Sequence, residues 1–390
     1  MRCSIYSRIT KIIIFGKFLK NEIDKKKIVT KNISYILLIA LVFYSCTKKK
    51  EIALVFLDEY IVKDSLAIEN SFIGGLSGID YSNGFFYFVV DDSEKPRFLR
   101  AEIDIKQDKI NSVNFKNVVY LNDTTTSFYN ENILDLESIF IDKETEEVNF
   151  VSEGSILKGK KPSVFTTDSL GNFLRSYVLP NYFIPNTIPK LKHNGIFEGS
   201  SKGVNGKGFW VAMESPLIVD GDEPSFKKTS SPIRITYFDK KSKKAIKQFA
   251  YQLEHITKPS QGKINLNGLT SILEYKENHF FIIERTYQSG YGNYGNAIKI
   301  FDAYIDETTT NILEVESLKE TDFTSLRKRL IFDFEEVRDQ LTKGIVDNIE
   351  GVTFGPKLAN GNQSLILVSD DNFQLYGKQL NQIILLEIEK

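Results

Sequence analysis

Residues 349–370, IEGVTFGPKLANGNQSLILVSD, contain a two-part pattern that recurs along the chain. It opens with an apolar residue, a Glu or hydroxyl residue and a small residue, and it closes with an acid after a second strand-like run. This opening triplet occurs as Leu76-Ser77-Gly78, Leu136-Glu137-Ser138, Phe197-Glu198-Gly199, Leu269-Thr270-Ser271 and Ile349-Glu350-Gly351. The closing acids are Asp91, Glu153, Glu214, Glu284 and Asp370. The spacing within each unit is enough for two strands and a tight turn.

Each unit is therefore predicted to be a β-hairpin within a larger antiparallel sheet. Runs of β-branched and aromatic residues, such as FFYFVV (85–90) and GFWVAM (208–213), follow turn signals such as Asn83-Gly84 and Asn205-Gly206. Successive triplets lie 60, 61, 72 and 80 residues apart, and repeats of this size are typical of propeller blades. The sequence predicts an all-β fold, a β-propeller with five or six blades of antiparallel strands. A β-sandwich is the alternative.

Three further segments bear on the number and closure of the blades. A sixth, degenerate blade could lie within 270–350, where the strand-like run AIKIFDAYI (297–305) lacks the triplet. Residues 324–342 have the strongest helical period and predict one short helix or helical loop. Strand candidates at 52–57 and 382–388 could pair and close the ring.

The hairpins are expected to bring acids together. In an antiparallel pair, the start of one strand lies beside the end of its partner. Each Glu at a triplet centre should therefore neighbour the closing acid of its unit: Glu137 beside Glu153, Glu198 beside Glu214, and Glu350 beside Asp370. Such pairs in successive blades would form a ring of carboxylates that raise one another's pKa unless a cation compensates them. Alternatively, each acid accepts backbone N–H groups of a neighbouring blade and only fixes its register.

Charge is distributed unevenly over the 390 residues. Residues 1–31 carry nine basic and two acidic groups, so residues 46–390 hold 41 basic and 49 acidic groups, a net charge of −8. An acidic body with no basic block argues against binding to nucleic acid. A hydrophobic content of 42% is ample for a packed core. A monomer is expected.

The first 45 residues predict an export leader. Residues 33–45, ISYILLIALVFYS, are uncharged, follow lysines and end at Cys46. As a helix they would reach about 20 Å, short of the ~30 Å hydrocarbon core, so an export signal fits better than a membrane span. Residues 42–46 resemble a bacterial lipobox, which predicts lipidation of Cys46 and a place in the cell envelope, in the periplasm or at the outer membrane. An uncleaved signal anchor is the alternative. Residues 46–69 would form a tether and first strand, and residues 70–390 the propeller domain.

From about residue 70 onward the chain resembles the bacterial phytase-like family, the "esterase-like activity of phytase" domain. The resemblance lies in GGLSGI (74–79), DLES (135–138), NGIFEG (194–199), Glu284-Arg285 with the glycine-rich stretch to Gly295, and DNIEGVTFGP (347–356) with SDDNF (369–373). It implies a propeller-like β fold, an exported protein and hydrolysis of phosphate or other esters. The expected partners are therefore a small-molecule ester or phosphoester substrate and, through the lipid anchor only, a membrane. Ser200 and Ser201 depart from the aliphatic residues expected in the third segment.

The residue types favour a hard cation in the acidic ring. The chain has three His, and the body has no Cys besides Cys46, which disfavours a thiolate or poly-imidazole site. Carboxylate oxygens suit Ca²⁺. The candidate metal ligands are Asp91, Asp92, Glu153, Glu214, Asp370 and Asp371. The candidate catalytic residues are Glu137, Glu198, Glu350 and Arg285. Arg285 offers a bidentate fork for phosphate or, alternatively, pairs with a ring carboxylate.

The sequence thus predicts an exported lipoprotein that hydrolyses phosphate or other esters with the help of a metal ion. The alternative is a non-enzymatic propeller that binds a ligand or partner protein on its acidic face. Residues 199–203, GSSKG, match the G-x-S-x-G pattern of serine esterases, but a strand follows where a nucleophile elbow needs a helix, so the match is interpreted as chance. His193 could act as a general base or be a simple loop residue.

We expect the leader to be cleaved before Cys46 and Cys46 to carry lipid. One acyl chain alone binds a membrane only marginally, so a diacylated cysteine with further acylation should be needed to anchor the body stably. Mass spectrometry of the N-terminal peptide from the membrane fraction measures both events. Recovery of the protein with its leader intact would contradict this prediction.

Overall fold

The structure, a computed structural model, describes residues 51–184, 191–192 and 194–389. The predicted leader with Cys46, and His193, lie outside the described residues. Residues Ile52–Glu389 form one compact unit. None of the helices among the described residues is long and apolar enough to cross a membrane.

Almost all strands lie in five antiparallel sheets of four strands each. The strands of the first three sheets, in chain order, are β4 (Leu76–Ser82), β5 (Phe85–Val90), β6 (Arg97–Lys106), β7 (Lys109–Tyr120), β8 (Leu136–Ile141), β9 (Val148–Ser152), β10 (Ser163–Thr167), β11 (Phe173–Ser176), β12 (Phe197–Lys202), β13 (Gly208–Met213), β14 (Pro232–Asp239) and β15 (Lys244–Gln252). The other two sheets contain β16 (Asn265–Lys276), β17 (His279–Gln288), β18 (Asn296–Tyr304), β19 (Arg327–Asp333), β20 (Asn348–Lys357), β21 (Gln363–Asp370), β22 (Asn381–Glu389) and the N-terminal β1 (Ala53–Val62).

The remaining elements are short. A two-stranded ladder consists of β2 (Ala67–Ile68) and β3 (Ser71–Phe72). The helical segments are α1 (Phe128–Glu131) and the 3₁₀ turns Ile156–Lys158, Asn181–Phe183, Gly292–Tyr294, Leu318–Glu320, Phe334–Gln340, Thr342–Gly344 and Asn372–Gln374.

The five sheets are the blades of a five-bladed β-propeller. The first strand of each repeat is the innermost strand of its blade, and each inner strand contacts the inner strands of the two neighbouring blades, so that β4, β8, β12, β16 and β20 form a closed ring. In the fifth blade, β1 pairs with β22 from Ala53 opposite Glu389 to Val62 opposite Asn381. The predicted all-β propeller and the predicted pairing of the two chain ends are therefore confirmed.

Two predictions about the region 270–350 differ from the structure. Residues 297–305 belong largely to β18, the third strand of the fourth blade, so there is no sixth blade among the described residues. The prediction of a short helix or helical loop over 324–342 holds only for the 3₁₀ turn Phe334–Gln340, because the residues before it form strand β19. Pairing of β19 with β18 overrides the helical period, since the fourth blade needs an outer strand to satisfy β18.

The apolar core lies between the blades. One cluster joins Phe88 and Leu99 of the first blade to Ile366 and Leu385 of the fifth, and similar clusters fill the other blade interfaces. Inner and second strands are buried on both faces, which explains why runs such as FFYFVV are almost continuously apolar.

A β-bulge interrupts every inner strand at the repeated triplet. The register shifts between Leu76 and Gly78 in the first blade, and equivalent shifts occur in the other four. A bulge adds one residue to one strand and redirects its side chain. The bulged residues are the triplet centres: Ser77, Glu137, Glu198, Thr270 and Glu350. The triplet is therefore the sequence signature of a conformational feature that is repeated in each blade.

The small third residue of the triplet allows the inner strands to approach one another. A Cβ atom added at Gly199 would lie 2.9 Å from the backbone N of Ile272 and 2.9 Å from Cα of Ser271. A Cβ at Gly351 would lie 3.0 Å from the backbone N of Ile79. Backbones this close to the axis leave no room for a larger side chain.

Gly199→Ala is expected to lower the free energy of unfolding by about 1–3 kcal/mol, because the added methyl forces two inner strands apart. Urea unfolding of the variant and wild type measures the change. Ser271→Ala is the matched control, since Ser271 occupies the same triplet position in the fourth blade and already has a Cβ. A Gly199→Ala variant as stable as wild type would contradict the close-approach explanation.

Candidate functional site

The triplet end of the propeller axis opens into one cavity of about 560 Å³. A cavity of this size accommodates a small molecule. Its cationic lining side chains, among the residues that the structure describes, are Arg285 and Lys378. Its carboxyl side chains are far more numerous: Asp91, Glu137, Glu153, Glu198, Glu214, Asp347, Glu350 and Asp370. The site is therefore strongly acidic.

The bulged residues form the first layer of this site, which we call the bulge ring (Ser77, Glu137, Glu198, Thr270 and Glu350). Its three Glu side chains line the cavity. Its two hydroxyl residues instead link blades: Ser77 donates to the Leu136 carbonyl at 2.7 Å, and Thr270 donates to the Ile349 carbonyl at 2.8 Å. The residue type at the bulge thus decides whether a blade contributes a carboxylate or a structural hydrogen bond.

The second layer comes from the ends of the neighbouring strands. Leu76 pairs with Val90, Leu136 with Ser152, Phe197 with Met213, Leu269 with Glu284 and Ile349 with Ser369. In every blade, the residue that follows the second member of this pair along the chain lines the cavity. We call these residues the strand-end ring: Asp91, Glu153, Glu214, Arg285 and Asp370.

Glu284 was expected to close the fourth unit, but the structure places Arg285 there. Adjacent residues of a strand face opposite ways, so Glu284 points away from the cavity. Its carboxylate accepts hydrogen bonds from the Tyr251 hydroxyl at 2.7 Å and from Lys328 Nζ at 2.9 Å. The sequence prediction chose Glu284 because the other four units end in an acid. The structurally equivalent residue is the next one along the chain, Arg285.

Arg285 is engaged by two carboxylates. It donates from Nη1 to Glu350 Oε1 at 2.8 Å and from Nη2 to Glu214 Oε1 at 3.2 Å. Asn348 Nδ2 also donates to Glu350 Oε1, at 2.8 Å. Of the two alternatives for Arg285, the structure shows pairing with ring carboxylates. Arg285 thereby orients Glu350 and Glu214 and compensates part of their charge.

Burial raises the pKa of the cavity acids, and neighbouring carboxylates raise it further. The pKa values of Glu137, Glu198 and Asp370 lie well above the usual range for carboxyl groups, because burial and the nearby acids both disfavour ionisation. Burial and the neighbouring Glu214 raise the pKa of Glu153 to about 8, although the Ile196 N–H opposes the rise. Burial also raises the pKa of Glu350, and Arg285 only limits the increase.

One group of acids has the arrangement needed to hold a metal ion. A carboxylate oxygen from each of Asp91, Asp135 and Glu137 lies within 4.8 Å of the other two. Three carboxylates this close match the oxygen donors that Ca²⁺ prefers. Asp135 was not among the predicted ligands, because the equivalent positions in the other blades are not all acidic. Asp135 lies two residues before Glu137, and residues two apart in a strand share a face, so the sequence did contain a signal that the two acids lie together.

Three other predicted residues line the same cavity, and two do not. Glu153, Glu214 and Asp370 lie in the strand-end ring. Asp92 instead pairs with Arg97 at 2.6 Å, outside the cavity lining. Asp371 accepts the Gly75 N–H at 2.8 Å and so joins the fifth blade to the first.

Both alternatives for the acids apply, but to different residues. Glu153 accepts the Ile196 N–H of the third blade at 2.5 Å and so links two blades. Asp370 accepts the N–H of Asn372, two residues along its own blade, at 2.7 Å. Glu137 and Glu198, by contrast, accept no hydrogen bond from any described residue and are open to the cavity. These two acids are available to a ligand.

The far end of the axis is closed by polar side chains. Asp80 of the first blade accepts Lys202 Nζ of the third at 2.7 Å and the Ile141 N–H of the second at 2.7 Å. The Thr353 hydroxyl of the fifth blade also lies 3.3 Å from Asp80. The GSSKG segment runs along β12 from the triplet towards this end. Ser201 is buried within the strand and accepts the Glu274 N–H, so it has no nucleophile-elbow geometry.

Several solved structures match this chain over most of its length at low similarity. A thermostable family-43 glycoside hydrolase matches 82% of this chain and 94% of its own, with 10% identity and a TM-score of 0.43. An exo-β-1,3-galactanase of Phanerochaete chrysosporium matches 85% of this chain and 64% of its own, with 11% identity and a TM-score of 0.42. The major allergen Mala s 1 of Malassezia sympodialis matches 84% and 82%, with 10% identity and a TM-score of 0.40. Likenesses this distant carry no functional argument.

No curated protein matches the sequence. The family model described as "Phytase-like: Esterase-like activity of phytase" matches residues 71–373, which include all five triplets and both rings of the cavity. The predicted family is therefore confirmed, and the chain belongs to the phytase-like family.

Proposed function

We propose that this phytase-like protein is an exported, lipid-anchored hydrolase of phosphate or other esters that works with a divalent cation, Ca²⁺ in the first instance. The observation that supports it most is the excess of buried carboxyl groups over cations in one cavity. Burying like charges without compensation is unfavourable, so such a site is suited to a bound cation. A phosphate group would be repelled by the same carboxylates unless a cation were present.

Asp91, Asp135 and Glu137 are the residues that would hold the cation. When bound, a Ca²⁺ ion would neutralise these carboxylates and polarise an ester oxygen. Glu198 lies in the same ring, and burial together with the neighbouring carboxylates raises its pKa, which favours the protonated form that a proton donor to a leaving-group oxygen needs. Arg285 and Asn348 fix the position of Glu350 at the opposite side of the ring.

A propeller that only binds a ligand on its acidic face is the second candidate. It is favoured by the hydrogen bonds of Arg285, which donates from Nη1 to Glu350 and from Nη2 to Glu214. These two nitrogens are therefore not available together for bidentate binding of a phosphate group. It is also favoured by the backbone hydrogen bonds of Glu153 and Asp370. Turnover distinguishes the two candidates.

Glu137→Gln is expected to weaken Ca²⁺ affinity by about tenfold or more and to reduce ester hydrolysis in parallel, because it keeps the side-chain size but removes a ligand charge. The wild-type protein should gain about 2.7 kcal/mol of stability at a Ca²⁺ concentration 100 times its Kd. Thermal unfolding with and without Ca²⁺ measures the first effect. Hydrolysis of a phosphomonoester panel and a carboxylic-ester panel measures the second.

Asp371→Asn is the control for this experiment, since Asp371 lies outside the cavity lining. It should lose roughly 1–3 kcal/mol of stability with or without Ca²⁺, because it weakens the hydrogen bond to Gly75, and it should keep its Ca²⁺ affinity. If the wild-type protein shows no Ca²⁺-dependent stabilisation and no turnover on either panel, the hydrolase proposal falls and the ligand-binding propeller is preferred.

The metal-free protein is expected to lose stability as the pH rises. The pKa of Glu153 is about 8 in the folded protein against an ordinary 4.5, so folding favours its protonated form. The resulting stabilisation is fully present below pH 4.5 and is lost as the pH rises through about 8. Urea unfolding in chelator from about pH 5 to about pH 8.5 measures this slope. Glu153→Gln should make the slope smaller, and Ca²⁺ should reduce it as well. Stability that stays constant or rises over this range in chelator would refute the prediction.

A further inference from the structure

The fourth blade builds a wall beside the cavity. Its inner strand β16 begins at Asn265, four residues before Leu269 of the triplet, whereas the inner strands of the first three blades begin at the triplet itself. Its partner β17 continues three residues beyond Arg285, to Gln288. The β16–β17 hairpin therefore extends past the strand-end ring, on the side where the cavity opens.

The wall presents apolar side chains to the cavity. Leu266 and Tyr287 are paired across the hairpin, so their side chains lie on the same face, and both line the cavity. Ile264, two residues before Leu266, lines it as well. Ile264 and Leu266 are 49% and 52% exposed, which leaves about half of each side chain uncovered. Uncovered apolar groups at the rim of a polar cavity are suited to contact with an apolar part of a ligand.

A loop of the fifth blade adds an aromatic ring to the cavity lining. Tyr376 lines the cavity and is 84% exposed. The loop that carries it is held by Gln374, whose Nε2 donates to the Gln379 carbonyl at 3.1 Å and whose Oε1 accepts the Gln379 N–H at 2.9 Å. Gln374 also donates to Asp371 at 2.9 Å. These hydrogen bonds restrain the ends of the loop and so lower the cost of ordering its backbone when Tyr376 contacts a ligand.

The charges of the cavity disfavour a ligand with many negative groups. Among the described lining residues the cations are Arg285 and Lys378, and Arg285 is already held by Glu214 and Glu350. Lys378 could receive one phosphate of a polyanion, and each further phosphate would face carboxylates. A single small polar head beside the metal-holding acids is compatible with this distribution.

We propose that the substrate is an amphipathic ester, with one small polar head at the metal-holding acids and one aryl or acyl group against Ile264, Leu266, Tyr287 and Tyr376. This inference rests on the proposed function for the position of the head. The apolar wall would select among esters by their apolar group, and polyphosphorylated compounds would be poor substrates.

Binding of unreactive analogues tests the proposal without requiring turnover. Calorimetry of the full chain, at one fixed concentration of free Ca²⁺, would compare phenylphosphonate, methylphosphonate and inositol hexakisphosphate. The two phosphonates carry the same charged head, so their difference reports the apolar group. We expect phenylphosphonate to bind at least about tenfold more tightly than methylphosphonate, in keeping with the transfer of one ring out of water, and more tightly than the hexakisphosphate.

Two wall variants and one control sharpen the test. Leu266→Ser and Tyr376→Ser should each weaken phenylphosphonate binding by about three- to tenfold and leave methylphosphonate binding unchanged. Leu170→Ser is the control, because Leu170 is 74% exposed and follows the cavity-distal end of β10. It should change neither affinity.

The two proposals can fail separately. Equal affinity for the two phosphonates, tighter binding of the hexakisphosphate, no binding of either phosphonate, or variants that leave the preference intact would overturn the amphipathic-ester proposal. A preference for phenylphosphonate that is lost in the wall variants would support an amphipathic ligand at this site even if no ester is hydrolysed. In that case the hydrolase proposal alone would fail, and the wall would belong to a ligand-binding propeller.

Discussion

The β-bulge at the start of each inner strand is the constraint on which the rest of the molecule depends. It redirects one side chain per blade, which becomes a cavity carboxylate at Glu137 or a hydrogen bond between blades at Ser77. It also places the next, small residue against the neighbouring inner strand, where Gly199 fits and a Cβ would not. The triplet of each blade therefore serves both to assemble the ring of inner strands and to build the site.

The site is built at a cost to the fold. Carboxyl groups such as Glu137 and Glu198 are buried near one another, and the guanidinium of Arg285 compensates mainly Glu214 and Glu350. Their pKa values are raised because burial disfavours the ionised form and the ionised carboxylates would repel one another. Protonation removes this repulsion at low pH, and a cation would reduce it at neutral pH. The apolar contacts between blades supply the stability that tolerates such a cluster.

The two ends of the axis are lined by different side chains. At the far end, Asp80 and Lys202 join blades across the axis. At the cavity end, the long β16–β17 hairpin and the loop that carries Tyr376 place apolar side chains on part of the rim. The polar groups therefore lie deep and the apolar groups lie outside. This gradient is the basis for expecting an amphipathic ligand.

The sequence by itself determined the all-β class, the five hairpins, the pairing of the chain ends, the family and most of the carboxylates at the site, because these follow from local patterns and from repetition. It did not reveal that Arg285 rather than Glu284 faces the cavity, that Asp135 joins Asp91 and Glu137, or that 324–342 is largely not helical. Those features depend on strand register and on contacts between blades. A bulge changes by one residue which side chains share a face, and only the assembled sheets fix where that extra residue lies.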